Sequence, residues 1–190
     1  MDSSITQEII NALKVLNSND TLLYPSDTIW GIGCDATNPK AVSKIYTLKK
    51  RIESKALICL VSDFKMLKNY VEYIPEEAVE IIREAKKPTT IIYNKPCNFA
   101  QNLLAEDGSI AIRIAHSGFA HDLISKFNKP LVSTSANISG EPSPKSFKEI
   151  SEGILKGVDY IVNLPNIKTD TRPSTIIKLN EDGTAHIIRA

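Results

Sequence analysis

Lys49 and Arg51 stand two residues apart where a segment of helical periodicity ends. Between residues 40 and 55, the six cations Lys40, Lys44, Lys49, Lys50, Arg51 and Lys55 meet one acid, Glu53, a local balance of +5. Alternate residues of an extended chain point to one side, so Lys49 and Arg51 can converge on one group. A guanidinium grips phosphate oxygens in a fixed fork, and an ammonium adds a mobile point charge. The same cations would equally suit a solvated helix C-terminus, where they favour the dipole. A second stretch, Ser133-Thr134-Ser135-Ala136-Asn137-Ile138-Ser139-Gly140-Glu141-Pro142-Ser143, follows an apolar strand. Ligands of open α/β sheets bind just beyond such strand ends, and short hydroxyl and amide side chains can donate to phosphate oxygens there. No G-x-S-x-G elbow surrounds Ser135, so the stretch does not announce a nucleophile, and its composition also fits a surface loop.

Other constellations exclude chemistry. Gly31-Ile32-Gly33-Cys34-Asp35-Ala36 matches G-x-G-x-x-A after a strand. A dinucleotide site needs the helix to open within that glycine turn. Here the helix signal comes later, at Asn38-Pro39, and the acid about 20 residues on is Glu53, in the basic segment. The glycines then serve close backbone approach to some other ligand. No G-x-x-x-x-G-K-[ST] is present. Cys34, Cys59 and Cys97 form no C-x-x-C pair, and His116, His121 and His186 have no metal-ligand spacing, so neither a disulfide framework nor a built-in metal site is expected.

The elements that must position these residues alternate along the chain. Ser4-Ile5-Thr6-Gln7 reads as a capping box before Ile9, Ile10, Leu13 and Leu16 at helical spacing. Strands are expected at Thr21–Tyr24, Ile29–Cys34, Ala56–Val61, Thr89–Tyr93, Ile110–Ile114, Leu131–Thr134 and Tyr160–Asn163. Between them, Asn38-Pro39 caps a helix through Val42, Ile45 and Leu48, Pro75-Glu76-Glu77 opens another through Ile81 and Ile82, and Phe119, Leu123, Ile124 and Phe127 form a third stripe. Ser146-Phe147-Lys148-Glu149 reads as a second capping box. Asn180-Glu181-Asp182-Gly183 links the last two strands as a hairpin. This order implies one α/β domain over residues 1–190, with a mixed sheet.

The 190 residues carry 23 Lys and Arg against 22 Asp and Glu, a net charge of +1, with 42% apolar residues. Near-neutrality excludes a surface built throughout for nucleic acid, so any polyanion must be met by a local cluster. The longest apolar run, Ala56–Val61, is far short of the roughly 18–20 residues of a membrane span. With a non-signal N-terminus, this points to a cytoplasmic protein without a membrane partner.

Taken in order, the motifs resemble a known family. Tyr24-Pro25-Ser26-Asp27-Thr28-Ile29-Trp30-Gly31-Ile32-Gly33 resembles its Y-P-T-[DE]-T-x-[YF]-G-x-G opening, and Lys49-Lys50-Arg51 its K-x-R. Ser135-Ala136-Asn137 resembles its S-x-N, and Ser174-Thr175-Ile176 its late S-T-[VI]. The family is that of the YrdC-like L-threonylcarbamoyladenylate synthases, and the resemblance runs from about Thr21 to Arg189.

The resemblance implies a twisted mixed sheet with helices on both faces and an open concave cleft, and an enzyme making threonylcarbamoyl-AMP and pyrophosphate from ATP, L-threonine and bicarbonate. A partner transferase would then modify tRNAs reading ANN codons. It further implies that Arg51, Lys55, Ser109, Ser135, Ser143 and Arg189 surround ATP, and that Thr28, Arg113, Ser133 and Ser174 hold threonine. Lys49 and Asn137 complete the catalytic set with Arg51 and Ser135, and Mg²⁺ arrives with ATP. Ser26 stands in place of the usual Thr, and Trp30 in place of Tyr or Phe. Ile52 and Ala56 replace common prolines, Leu60 a histidine found in some members, and Lys86–Thr90 a W-P-G-P-x-T segment. The chain stops at Ala190 without the additional domain of longer members. The rival expectation is a module of the same fold that binds double-stranded RNA or tRNA without synthase activity.

Overall fold

Ile9, Ala12 and Leu16 fall at helical spacing and are buried, which seats the amphipathic helix α1 (Ser3–Asn17) on the core. The computed structural model describes residues 3–51, 57–164, 173–180 and 183–190. After α1 come β1 (Leu22–Pro25), β2 (Trp30–Gly33), α2 (Pro39–Lys49), β3 (Ile58–Val61), α3 (Phe64–Lys68), α4 (Glu76–Glu84) and β4 (Thr89–Tyr93). There follow β5 (Ile110–Ile114), α5 (Gly118–Phe127), β6 (Leu131–Ser135), α6 (Glu152–Gly157), β7 (Tyr160–Ile161), β8 (Thr175–Leu179) and β9 (Ala185–Arg189). The fold is α/β, as expected. None of the described helices is long and apolar enough to cross a membrane.

The strands form one mixed sheet in the order β7-β1-β2-β6-β3-β5-β4-β8-β9. Pairs β1–β7, β3–β5 and β4–β8 are parallel and the others antiparallel. The hairpin closes as the sequence implied, with the Asn180 N–H donating to Thr184 O at 2.9 Å. β1 and β2 are buried at every residue, so both faces of the sheet are covered there. α1 and α5 pack on each other and on β1, and α5 also reaches β3.

Register divides the sheet into two chemically different faces. Paired residues share a face, and the face alternates along each strand. On one face lie Leu23, Ile32, Val132, Cys59, Ile112 and Ile91, all buried. Full burial of such aliphatic side chains is worth roughly 1.5–3 kcal/mol each, so this face anchors the fold. On the other face Tyr24 pairs with Gly31, Gly31 with Ser135, and Ser133 with Ile58. Arg113 pairs with Thr90, Thr90 with Ile176, and Ile176 with Arg189 on that same face.

Local signals were read correctly in some places and not in others. Asn38 accepts from the backbone N–H groups of Lys40 and Ala41, and Pro39 begins α2. Ser4–Gln7, expected as a cap, lies inside α1. The second capping box makes only a short 3-10 turn, Phe147–Glu149, with Ser146 Oγ on Glu149 Oε1 at 3.3 Å. The backbone turns extended at Ile150 and Ser151, so the turn does not propagate and α6 begins only at Glu152. Helix α3 went unexpected although Asp63 caps it, accepting from the Met66 N–H at 2.7 Å.

Gly33 is needed for close packing and not for a ligand. A Cβ there would sit 2.7 Å from Val132 O and 2.8 Å from the Tyr24 ring. Neither a backbone carbonyl nor a buried ring can swing aside. Gly33→Ala is expected to lower stability by about 1–3 kcal/mol, read as a lower urea midpoint with an unchanged slope.

Candidate functional site

The end of α2 sends neighbouring cations in opposite directions. Lys50 takes the left-handed conformation (φ 50, ψ 42), and its N–H and that of Arg51 close on the last carbonyls of the helix. Lys49, only 1% exposed, therefore turns inward, where Nζ donates to Ser135 O at 2.5 Å and Asn137 O at 2.6 Å. Burial, and then the charge of Arg51, pulls the Lys49 ammonium down to about 8. Arg51 instead faces a cavity. The expected convergence of Lys49 and Arg51 on one group does not occur, because the left-handed residue between them breaks the alternation of an extended chain. Of the other described cations in the stretch, Lys44 is paired with Asp20 at 2.5 Å, and Lys40 and Lys50 are exposed.

The cavity holds about 230 Å³ and lies over the polar face of the sheet. Thr28, Arg51, Arg113 and Ser133 line it, as do Ser135, Ser143, Ser174 and Arg189. These eight come from segments as far apart as the β1–β2 connection and the last strand. Strand ends were expected to carry the site, and Ser135 and Arg189 are the last residues of β6 and β9 and Arg113 the last but one of β5; from there the ligand space extends over the sheet face.

Charge dominates this space. Arg113 is 4% exposed and forms an ion pair with Asp27 Oδ2. The other oxygen, Asp27 Oδ1, is buried with no hydrogen-bond partner among the described residues. Arg189 donates to Ser174 O through Nε at 3.0 Å and Nη2 at 2.8 Å. Burial first, then Arg113, lowers the affinity of Arg189 for its proton, and burial does the same to Arg51. Three guanidinium groups thus face one cavity, and Asp27 pairs with one of them, Arg113. Such a site favours an anionic ligand.

Buried hydroxyls support the lining residues. Tyr24 Oη donates to Ser133 Oγ at 2.7 Å, Ser26 Oγ lies 2.9 Å from Thr28 Oγ1, and Thr90 Oγ1 lies 2.8 Å from Ser174 Oγ. Tyr24, Ser26, Asp27 and Thr90 were not among the expected site residues. The first three sit inside the motif around Thr28, where alternation along β1 and the turn after it was the available signal. Thr90 could be found only through its register with Arg113 and β8.

Three expected residues are placed away from the cavity lining. Lys49 braces the loop after β6. Asn137 donates from Nδ2 to Ile138 O at 3.0 Å and Glu141 O at 2.7 Å, folding that loop on itself. Ser109 donates to Asp107 Oδ1 at 2.5 Å, and this bond, followed by Lys178, holds the Asp107 carboxyl at about 2. Lys55 lies outside the described residues. Leu60, where some relatives carry histidine, is fully buried beside Arg113. Among the described residues no group of three His, Cys, Asp or Glu could hold a metal ion.

The model of the Sua5/YciO/YrdC family, described as telomere recombination, matches residues 14–190. The chain belongs to this family. A threonylcarbamoyl-AMP synthase of Pseudoalteromonas translucida is 31% identical over 171 residues, spanning 88% of this chain and 91% of that protein. A Methanocaldococcus jannaschii protein, named provisionally for the same synthase, is 36% identical over 93% of this chain and 83% of its own. The crystal structure of P. abyssi Sua5 complexed with L-threonine superposes with a TM-score of 0.83 at 26% identity over 95% of this chain. This chain spans about half of that Sua5 chain, 53% of its length.

In this family member the buried lysine is expected to act as a brace for the β6 loop. Lys49→Met keeps the aliphatic stem but leaves the Ser135 and Asn137 carbonyls without their donor. An orphaned buried acceptor costs about 1–3 kcal/mol. Lys49→Met should therefore melt several degrees below wild type, whereas Lys50→Met at the exposed neighbour should not.

Proposed function

We propose that this protein is an L-threonylcarbamoyladenylate synthase, a nucleotidyltransferase that converts ATP, L-threonine and bicarbonate into threonylcarbamoyl-AMP and pyrophosphate. The observation that carries the reading is the convergence of Arg51, Arg113 and Arg189 with seven hydroxyl-bearing residues on one cavity. Two substrates bearing a carboxylate and a triphosphate suit that set. The names of the curated relatives and the threonine held by P. abyssi Sua5 support the same reading.

The reaction asks for positioning and charge stabilisation and needs no protein nucleophile. Threonine's amine first combines with bicarbonate, losing water, to give a carbamate. A carbamate oxygen then attacks the α-phosphorus of ATP, and the bond from that phosphorus to the bridging oxygen breaks to release pyrophosphate. In this assignment Arg113, fixed by Asp27, takes the threonine carboxylate beside Thr28, Ser133 and Ser174. Arg51, Ser135, Ser143 and Arg189 surround the nucleotide. Lys49 and Asn137 act through the loop that carries Ser135. Mg²⁺ enters as the Mg–ATP substrate and balances charge on the leaving pyrophosphate. The product is a reactive mixed anhydride, so a transferase acting on tRNA is the fitting next partner.

Preorganised cations aimed at developing charge are worth about 10²–10³ in rate each. Arg51→Ala is expected to lower threonine-dependent pyrophosphate release by at least about 100-fold at an unchanged melting temperature. Unchanged turnover would contradict the assignment. Salt-sensitive RNA binding with no threonine-dependent turnover in the wild type would replace it with a binding module.

A further inference from the structure

The hydroxyl groups around the cavity are not free rotors. Ser26 Oγ donates to the Ile29 carbonyl at 2.7 Å. A carbonyl can only accept, so this bond takes the single proton of Ser26. Ser26 Oγ then accepts twice, from the Thr28 backbone N–H at 3.1 Å and from Thr28 Oγ1 at 2.9 Å. The proton of Thr28 is committed inward, and what remains for a ligand is a pair of lone pairs.

The opposite holds on the sheet. Tyr24 is wholly buried, and burial raises its pKa, so the phenol keeps its proton and donates it to Ser133 Oγ. Among the described hydrogen bonds Ser133's own proton has no acceptor, and Gly31 leaves the space beside it open to the cavity. Ser174 Oγ accepts from Arg189 Nη2 at 3.2 Å and lies 2.8 Å from Thr90 Oγ1. Thr90 is fully buried, and among the described hydrogen bonds Ser174 is the sole partner of its hydroxyl. The arrangement that strands no buried proton has Thr90 donating to Ser174, which sends Ser174's proton into the cavity.

We propose that buried partners preset the hydrogen-bond sense of this cavity: Ser26 makes Thr28 an acceptor, while Tyr24 and Thr90 make Ser133 and Ser174 donors. The ligand class this selects presents a carboxylate-like acceptor to Ser133 and Ser174 and an N–H or O–H to Thr28. An amino acid bearing a hydroxyl meets both demands. This deepens the synthase reading and rests on it for the identity of the substrate. Tyr24 and Thr90 are positioning residues, since each acts through the hydroxyl it holds, and Ser26 does the same for Thr28 while itself reaching the cavity lining.

Neutron diffraction from deuterium-exchanged, ligand-free protein reads the arrangement directly. The deuterons are expected on the Ser26–Ile29, Thr28–Ser26, Tyr24–Ser133 and Thr90–Ser174 lines. A Thr28 deuteron pointing into the cavity, or a Ser133 deuteron on Tyr24, would overturn the proposal. Kinetically, Ser26→Ala frees the Thr28 proton and should raise KM for threonine about five- to tenfold, with kcat and the KM for ATP little changed. Ser26→Thr, which keeps the hydroxyl, should restore the wild-type KM. A Ser26→Ala enzyme with wild-type threonine KM, or one losing ATP and threonine binding alike, speaks against preset polarity. Wild-type protein with no threonine-dependent pyrophosphate release would remove the substrate assignment, and the deuteron positions would then decide the polarity alone.

Discussion

The structure depends on holding several cations in a small space with little opposing charge. Arg51, Arg113 and Arg189 share one cavity, Lys49 is buried beneath its floor, and Asp27 is the carboxylate that pairs with Arg113. Burial lowers the proton affinities of Lys49, Arg51 and Arg189, and a neighbouring guanidinium adds to this for Lys49 and Arg189. The fold retains these groups by giving their N–H groups backbone acceptors: Ser135 O and Asn137 O for Lys49, Ser174 O for Arg189. An anionic ligand relieves the remaining repulsion, so binding and stability are linked at this site.

The two faces of the sheet divide the labour. One is aliphatic and fixes the strands. The other carries Gly31, Ser133, Ser135, Arg113 and Arg189 in register, so the strand pairing itself sets the spacing of the ligand-facing groups. Sites built on strands are held more rigidly than sites on loops, which suits a reaction that depends on alignment. The loop after β6 is the exception, and there Lys49 and Asn137 supply the rigidity from within.

Much of this was legible in the sequence, and the limits have physical causes. The mixed α/β alternation, the Asn38-Pro39 cap and the terminal hairpin are local signals, and local signals survive folding. The motifs carried eight of the expected residues to one cavity because each motif keeps its residue types in order along the chain. Side-chain direction was not legible for Lys49, since one left-handed residue at Lys50 reversed it. Thr90 and the face of the sheet that bears the site required strand order, which is set by contacts between distant segments. At Ser146–Glu149 the capping box closes only one turn, because the chain turns extended at Ile150 and Ser151 before α6 begins at Glu152.

The charge arithmetic takes on a different meaning with the structure. The described part of the +5 stretch, residues 40–51, is not one patch, because its lysines are spread between Asp20, solvent and the interior. The cationic site is assembled from three arginines remote in sequence. The most direct test of its chemistry is mass spectrometry of the nucleotide formed from ATP, Mg²⁺, L-threonine and ¹³C-bicarbonate. The account predicts an adenylate that contains threonine and one ¹³C, formed together with pyrophosphate. Conversion of ATP with no labelled, threonine-bearing adenylate would contradict it.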